Sequence, residues 1–222
     1  MSVLQFIIAN YKQVLFLTWE HIYMVGLSLI IATALGVPLG IIITKHEELA
    51  KRVINGANVI MTVPSIALFG LMLPVLAIIG HGLGKVPAVI ALVLYSQLPI
   101  IRNTYVAIKN VPQSIRDAGK GMGMNTWELL REVEIPIAVP VIIAGLRTAA
   151  VMNIGIAAIA AYVGAGGLGV YIQQGIDRVY PEMIISGAVL VSLFAIIVDG
   201  TMALVERIVT PTGLKVQKRL VQ

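Results

Sequence analysis

Long apolar runs separated by short polar segments dominate this chain. A membrane-spanning helix needs about 20 consecutive, mostly apolar residues, and five segments of the sequence meet that requirement: 22–44, 53–80, 86–108, 137–163 and 183–206. Several prolines lie inside these runs, which is tolerated where neighbouring helices satisfy the freed backbone groups. The pattern predicts an all-α integral membrane protein, with five kinked transmembrane helices packed in a bundle.

The first 21 residues follow a different pattern. Apolar residues from Leu4 to Leu15 recur at helical spacing, while Lys12 lies off that stripe. This predicts an amphipathic helix over 1–21 that lies in the membrane interface, with Trp19 and Tyr23 in the aromatic belt. A sixth span is the alternative, and it is disfavoured because a lysine is costly at mid-membrane.

Composition supports the membrane class. The 222 residues are 58% hydrophobic and 12% charged, with a mean hydropathy of +0.93, whereas soluble domains carry about 25% charged residues. There is no cysteine, which excludes disulfides and thiolate metal sites, and we predict no metal site. The net charge of +5 comes from basic residues beside apolar segments. It therefore indicates membrane orientation and does not predict nucleic acid as a partner.

The distribution of Lys and Arg predicts that orientation. With the N-terminus outside, 12 of the 16 basic residues lie in inner segments, 3 lie in outer segments and Arg147 lies within a span. Inner loops of membrane proteins carry the excess of positive charge. We therefore expect an external N-terminus, an internal loop over 109–136 and an internal tail over 209–222.

Two charged residues, Arg147 and Asp199, lie well inside the predicted spans. At ~1.5 Å per residue, Arg147 is about 15 Å from the inner end of the fourth span, and Asp199 is about 10 Å from that of the fifth. These depths predict an intramembrane ion pair between them, with Arg102 as a competitor for the same acid. The alternative is that Arg147 binds backbone carbonyls while Asp199 faces water.

The inner loop over 109–136 is unusually rich in helix-start signals. Ser114 precedes Asp117 by three residues, and Asn125 precedes Glu128 by three, as in capping boxes. The loop is therefore predicted to form two short helices with a bend over 121–124. Spacing alone leaves open whether this elbow docks on a soluble partner or packs on itself.

The same loop carries a recognisable motif. It begins with Asp117-Ala118-Gly119, reaches Gly123 after three further residues, and ends on Val133-x-Ile135-Pro136 nine residues later. This resembles the EAA motif of ABC importer permeases, with Asp for Glu and Gly for the second Ala. The resemblance implies that the elbow sits in a groove of a separate ATPase chain. Met122, Trp127 and Leu129 are predicted to present apolar side chains to that groove.

Further segments resemble the osmoprotectant branch of these permeases. They are Thr62-Val63-Pro64-Ser65, Gly121-Met122-Gly123-Met124, Gly145-Leu146-Arg147-Thr148, Asn153-Ile154-Gly155 and Gly164-Ala165-Gly166-Gly167-Leu168-Gly169. The resemblance implies import of glycine betaine, carnitine, choline or a related quaternary amine across a prokaryotic cytoplasmic membrane. It also implies a second permease chain and a separate extracellular binding protein. ATP and Mg²⁺ would be used by the ATPase, and this chain would bind no cofactor and hold no catalytic residue.

The residues of the translocation path are harder to predict. Thr62, Pro64, Ser65 and Asn153 are candidates, and helix-to-helix hydrogen bonding is the alternative role for the polar ones. Aromatic residues make up only 6% of the chain, so any site for a quaternary amine is predicted to be weak.

Other functions fit the sequence less well. Residues 164–169 match Gly-x-Gly-x-x-Gly, but they follow a span, so we expect a flexible outer turn or a contact near the outer mouth. A permease for another small solute, such as an amino acid, is the main alternative. A secondary transporter is less favoured, because no inverted repeat is found.

Overall fold

The computed structural model describes residues 2–210, and all its regular elements are helical. The α-helices are α1 (Val3–Ala9), α2 (Tyr11–Ile42), α3 (Glu47–Thr62), α4 (Ser65–Ala77), α5 (Lys85–Lys109), α6 (Gln113–Gly121), α7 (Thr126–Glu128), α8 (Ile135–Ile159), α9 (Gly169–Asp177) and α10 (Pro181–Val209). Short 3₁₀ segments extend α2 over Ile43–Lys45 and α8 over Ala160–Val163. The predicted fold class is confirmed, and most of the predicted tail over 209–222 lies outside the described residues.

Helix α5 lies at the centre of the bundle, between α2 and α8. Glycines allow this close approach, because an added Cβ would collide with α5 on both sides. A Cβ at Gly40 of α2 would lie 2.6 Å from Thr104 Cβ, and one at Gly145 of α8 would lie 2.7 Å from Asn103 Cβ. Small residues at such crossings are typical of membrane bundles, where packing must hold helices together.

Four helical stretches within residues 2–210 are long and apolar enough to cross a membrane, and a sharply bent pair of helices could form a fifth crossing. The four stretches are Tyr11–Lys45, Lys85–Lys109, Thr126–Val163 and Pro181–Val209. The predicted third, fourth and fifth spans each lie within one of them. The bent pair, α3 and α4, occupies the segment predicted as the second span.

The second predicted span is not one continuous helix. Helices α3 and α4 meet at an angle of 98°, because Pro64 cannot donate a backbone hydrogen bond and disfavours helical geometry in Val63 before it. Val63 is extended, with φ −70° and ψ 126°. Its carbonyl accepts a 2.5 Å hydrogen bond from the Tyr95 hydroxyl of α5, which ties the bend to the central helix.

We expect Tyr95→Phe to destabilise the protein by about 1–3 kcal/mol. The variant removes the hydroxyl that donates to the Val63 carbonyl, and a carbonyl that loses its hydrogen bond away from water is costly. Tyr95 is buried. The thermal midpoint of unfolding in detergent measures the effect. Tyr162→Phe is the matched control, since Tyr162 is exposed, and an equal shift in both variants would contradict a specific role for the Tyr95 hydroxyl.

The segment predicted as one interfacial helix over 1–21 is divided between two helices. The chain breaks at Asn10, whose side chain donates to the Phe6 carbonyl, and the residues from Tyr11 onward form the beginning of α2. The helix that contains the predicted first span therefore starts at Tyr11, well before position 22. Helix α1 packs against α10, and the ring of Phe6 lies edge-on to the rings of Tyr171 in α9 and of Tyr180, the residue before α10. Phe6 is buried, while Leu4 and Ile8 of the same helix are exposed.

Candidate functional site

The first half of the elbow is helix α6, which follows the end of α5. The predicted capping box at Ser114 and Asp117 is not formed, because α6 begins at Gln113 and places Ser114 inside the helix. Asp117 instead accepts a 2.8 Å hydrogen bond from the Gln113 side chain, one turn earlier. Pro112 immediately precedes the helix. Proline is well tolerated at this end, because the first N–H groups of a helix have no partner within the helix and proline lacks an N–H.

The second half of the elbow begins at the predicted capping box. The Asn125 side chain accepts from the backbone N–H groups of Trp127 and Glu128, and the Glu128 side chain accepts from the N–H of Asn125. The second half of the elbow was predicted to be a separate short helix, but the helix does not stop after this turn. It continues through a π-helical segment over Leu129–Glu134 into α8, so the elbow is continuous with a spanning helix.

Gly119 has a packing role that could not be predicted from its place in the motif. It is buried against Leu129, and a Cβ at this position would lie 2.6 Å from Leu129 Cδ1. The prediction that Leu129 faces a partner is therefore wrong, since its side chain joins the two halves of the elbow. The turn between them uses Gly123, whose φ of +85° favours glycine.

The exposed surface of the elbow is partly apolar. Trp127 is 65% exposed, and Met122 and Ile115 are also exposed. Two other motif residues, Ala118 and Pro136, are exposed, while Val133 and Ile135 are half-buried where the elbow joins the bundle. Large exposed aromatic side chains on a polar segment are typical of interaction sites.

An ion pair missed by the sequence analysis fixes the elbow to the bundle. Arg116 Nε of α6 lies 2.7 Å from Glu134 Oε1, at the base of α8. The same guanidinium donates a 2.6 Å hydrogen bond to the Ile108 carbonyl at the end of α5. The two charges are far apart in sequence, so no local pattern reveals them. The contacts link three helices at one point.

The candidate path residues separate into two places. Thr62, Pro64 and Ser65 lie together at the bend between α3 and α4, with Thr62 and Pro64 exposed. Asn153 is fully buried, and its Nδ2 donates to Ser28 Oγ of α2 at 3.3 Å and to Ser96 Oγ of α5 at 2.8 Å. The prediction that Asn153 lines a path is therefore wrong, because its amide joins three helices.

The glycine-rich segment over 164–169 is a packed turn, which corrects the expectation of flexibility. Gly166 and Gly167 have φ of +86° and +77°. The N–H of Gly167 donates to a Glu20 carboxylate oxygen at 3.2 Å, and that of Leu168 donates to His21 Nδ1 at 3.2 Å. Glu20 also forms a 2.7 Å ion pair with Lys85. Adjacent residues of α2 thus hold the turn at the end of the bundle opposite the elbow.

The structure brings Arg147 and Asp199 together between α8 and α10. Arg147 Nε lies 2.5 Å from Asp199 Oδ1, and Nη2 lies 2.7 Å from Oδ2, which makes the pair bidentate. A second carboxylate, that of Glu206, lies 3.7 Å from Arg147 Nη1. Arg102 does not take part, because it is exposed on α5 and lines a separate cavity.

These features define a helical membrane protein with a structured elbow joined to a spanning helix. The family described as binding-protein-dependent transport system inner membrane component matches residues 36–210. The chain belongs to that family, and it is a transport subunit of the ABC importer type.

Individual relatives match over almost their whole length. The chain is 46% identical to the osmoprotectant import permease protein OsmW of Salmonella typhimurium strain LT2, covering 97% of this chain and 100% of the relative. It is 43% identical to the glycine betaine/carnitine/choline transport system permease protein OpuCB of Bacillus subtilis strain 168, covering 99% of each. A solved chain of the MetNI methionine ABC transporter matches with a TM-score of 0.81, at 23% identity over 91% of this chain and 99% of that chain, and this likeness concerns the fold.

Proposed function

We propose that this chain is the membrane subunit of an ATP-driven importer for a compatible solute of the quaternary-amine class, such as glycine betaine, carnitine or choline. The elbow carries this proposal, because its exposed Trp127 and Met122 stand on a segment that is continuous with α8. A soluble ATPase that moved this segment would move a spanning helix with it. The names of the relatives support the solute class.

The elbow is built to transmit force rather than to bend freely. Leu129 packs on Gly119 inside it, and Arg116 fastens it to Glu134 and to the end of α5. The adjoining π-helical segment is a type of irregularity that is frequent at functional sites. Closure of two ATPase chains would therefore turn α8 against α5, and opening would reset it.

The other components follow from this role. ATP and Mg²⁺ would be bound by the ATPase, so this chain would bind no nucleotide and would hold no catalytic residue. A second permease chain, identical or similar, would complete the path, and a separate extracellular protein would deliver the solute. The elbow would lie in the cytoplasm and the N-terminus outside, in agreement with the positive charge of the elbow side.

The path itself would run along the face that carries the Arg147–Asp199 pair. The two side chains are 34% and 42% exposed in the single chain, although they lie within candidate spans. Charged groups inside a membrane face a bundle interior or a water-filled cavity, because exposure to lipid is expensive. This face would therefore point toward the second permease chain.

Growth at high salt tests the substrate class. A host that lacks its own osmoprotectant importers would receive this permease with its ATPase and binding protein, and each medium would contain one solute. We expect rescue by at least one of glycine betaine, carnitine and choline, and none by amino acids such as methionine. Uptake of an amino acid with no rescue by any quaternary amine would contradict the proposed substrate.

A further inference from the structure

Arg102 is an unpaired cation inside a candidate span. It lies seven residues before the end of the stretch Lys85–Lys109, or about 10 Å from that end. Within residues 2–210 its guanidinium has no ion-pair or hydrogen-bond partner, in contrast to that of Arg147. Met1 and residues 211–222 include no Asp or Glu that could supply one. A charge at this depth is expensive unless it faces water or an anion.

Arg102 lines a cavity whose other walls are mostly apolar. The volume of the cavity is about 480 Å³, within the range of about 300–1,000 Å³ that is typical of small-molecule sites. Leu98 and Val106 lie four residues before and after Arg102, so the three share one face of α5. The remaining walls are Met61 of α3 and Pro99 and Asn103 of α5. The charge and the apolar surface therefore belong to the same cavity.

The walls of this cavity favour an anionic group. Arg102 is the one charged residue among the six that line it, and none of the six is aromatic. The cavity thus has neither a carboxylate nor a ring that would attract a quaternary ammonium. A guanidinium presents its N–H donors in a planar fork that matches the two oxygens of a carboxylate. The neighbouring Asn103 amide already donates to the Pro99 carbonyl at 2.7 Å.

The cavity adjoins the crossing at which α5 meets α8. Asn103, one of its walls, is the residue whose Cβ would lie 2.7 Å from a Cβ added at Gly145. Ala144, next to Gly145, lines the cavity of the Arg147–Asp199 pair. A movement of α8 against α5 would therefore change the walls of both cavities.

We propose that the cavity binds the carboxylate end of a zwitterionic solute such as glycine betaine or carnitine, and that Arg102 holds this carboxylate. The methyl groups on the ammonium end would contact apolar walls such as Met61 and Val106. Choline has no carboxylate and brings only a positive charge to Arg102, so it would bind more weakly. The inference rests on the proposed function in one respect, that such a solute passes this part of the chain.

Ligand-induced thermal shifts of the purified permease in detergent test the site, because all six wall residues belong to one chain. The probes are glycine betaine, choline chloride and sodium acetate at equal millimolar concentrations, with sodium chloride added to equalise ionic strength. We expect glycine betaine to raise the midpoint of unfolding most, since it alone combines a carboxylate with a trimethylammonium group.

Three variants assign the effect to one side chain. Arg102→Met should abolish the preference, with a loss of at least about tenfold in the affinity for glycine betaine, as the loss of a hydrogen-bonded charge partner predicts. Arg102→Lys should retain part of the preference, because the charge remains and the planar fork is lost. Arg52→Met is the matched control and should keep the full preference, since Arg52 is an exposed arginine of α3 that does not line the cavity.

Three results would overturn the site. Equal shifts by glycine betaine and choline in the unmodified protein would show that no carboxylate is recognised. A shift by acetate as large as that by glycine betaine would show a general anion site. Neither reading depends on whether a variant folds. A glycine betaine-specific shift that persists in Arg102→Met would place the site elsewhere. The proposed function fails separately, since a specific shift without rescue of growth would leave the site and remove the transport proposal.

Discussion

Arg147→Met is expected to destabilise the protein more than the double variant Arg147→Met/Asp199→Leu. Removing the guanidinium leaves both Asp199 and Glu206 without a cation at membrane depth, whereas the double variant leaves only Glu206. Breaking one side of a charge pair is worse than replacing both sides by apolar groups of similar size. Asp199→Leu alone should be the mildest change, because Arg147 can turn toward Glu206.

The thermal midpoint of each variant in detergent gives this double-mutant cycle. The expected order of midpoints, from lowest to highest, is Arg147→Met, then the double variant, then Asp199→Leu, then the unmodified protein. Losses that simply add in the double variant would show that the two residues do not interact. Thr148→Val serves as the control for the helix face, since Thr148 is exposed beside Arg147 and its hydroxyl donates to the Ala144 carbonyl of its own helix.

Trp127→Ala is expected to separate transport from folding. Trp127 is 65% exposed on the elbow, so its removal takes little from the fold of the single chain. A tryptophan at the centre of an interface contributes at least about 2 kcal/mol to binding, which corresponds to roughly a thirtyfold weaker complex. The variant should therefore insert and unfold normally but lose most solute-stimulated ATP hydrolysis and uptake.

The matched control is Trp19→Ala. Trp19 is 67% exposed and lies on α2, at the end of the bundle opposite the elbow. ATP hydrolysis in vesicles that contain all the subunits is measured with and without loaded binding protein. Normal stimulation in Trp127→Ala, or the same loss in Trp19→Ala, would show that Trp127 is not an anchor for the ATPase.

Hydropathy and residue spacing predicted the structural features that depend on local sequence, namely the positions of helices and of a helix start. Apolar length located the helices of the bundle, and the three-residue interval from Asn125 to Glu128 located the start of the second half of the elbow. Counting the rise per residue from the inner ends of the fourth and fifth spans placed Arg147 and Asp199 at similar depths, because the two helices are antiparallel and have the same rise. The motif residues of the elbow extend from α6 through the turn at Gly123 to the start of α8.

Features that depend on distant contacts could not be predicted in this way. Hydropathy does not distinguish a kink from a bend of 98°, which is held by a hydrogen bond from Tyr95. It also gave no sign that Asn153 is enclosed by Ser28 and Ser96, since a polar residue in a span has the same sequence pattern in a core and in a path. The burial of Leu129 could not be predicted either, because it packs on Gly119 across a turn, and the local sequence pattern does not predict the geometry of that turn.

Solute uptake and ATP hydrolysis measured together in one set of vesicles test the central claim most directly. The vesicles contain the permease and its ATPase, with ATP inside at the elbow side and loaded binding protein outside. We expect solute to accumulate against its gradient only when ATP is hydrolysed, and uptake to stop when ATP is replaced by ADP. Accumulation driven by a sodium or proton gradient without ATP would contradict the claim and identify the chain as a secondary transporter.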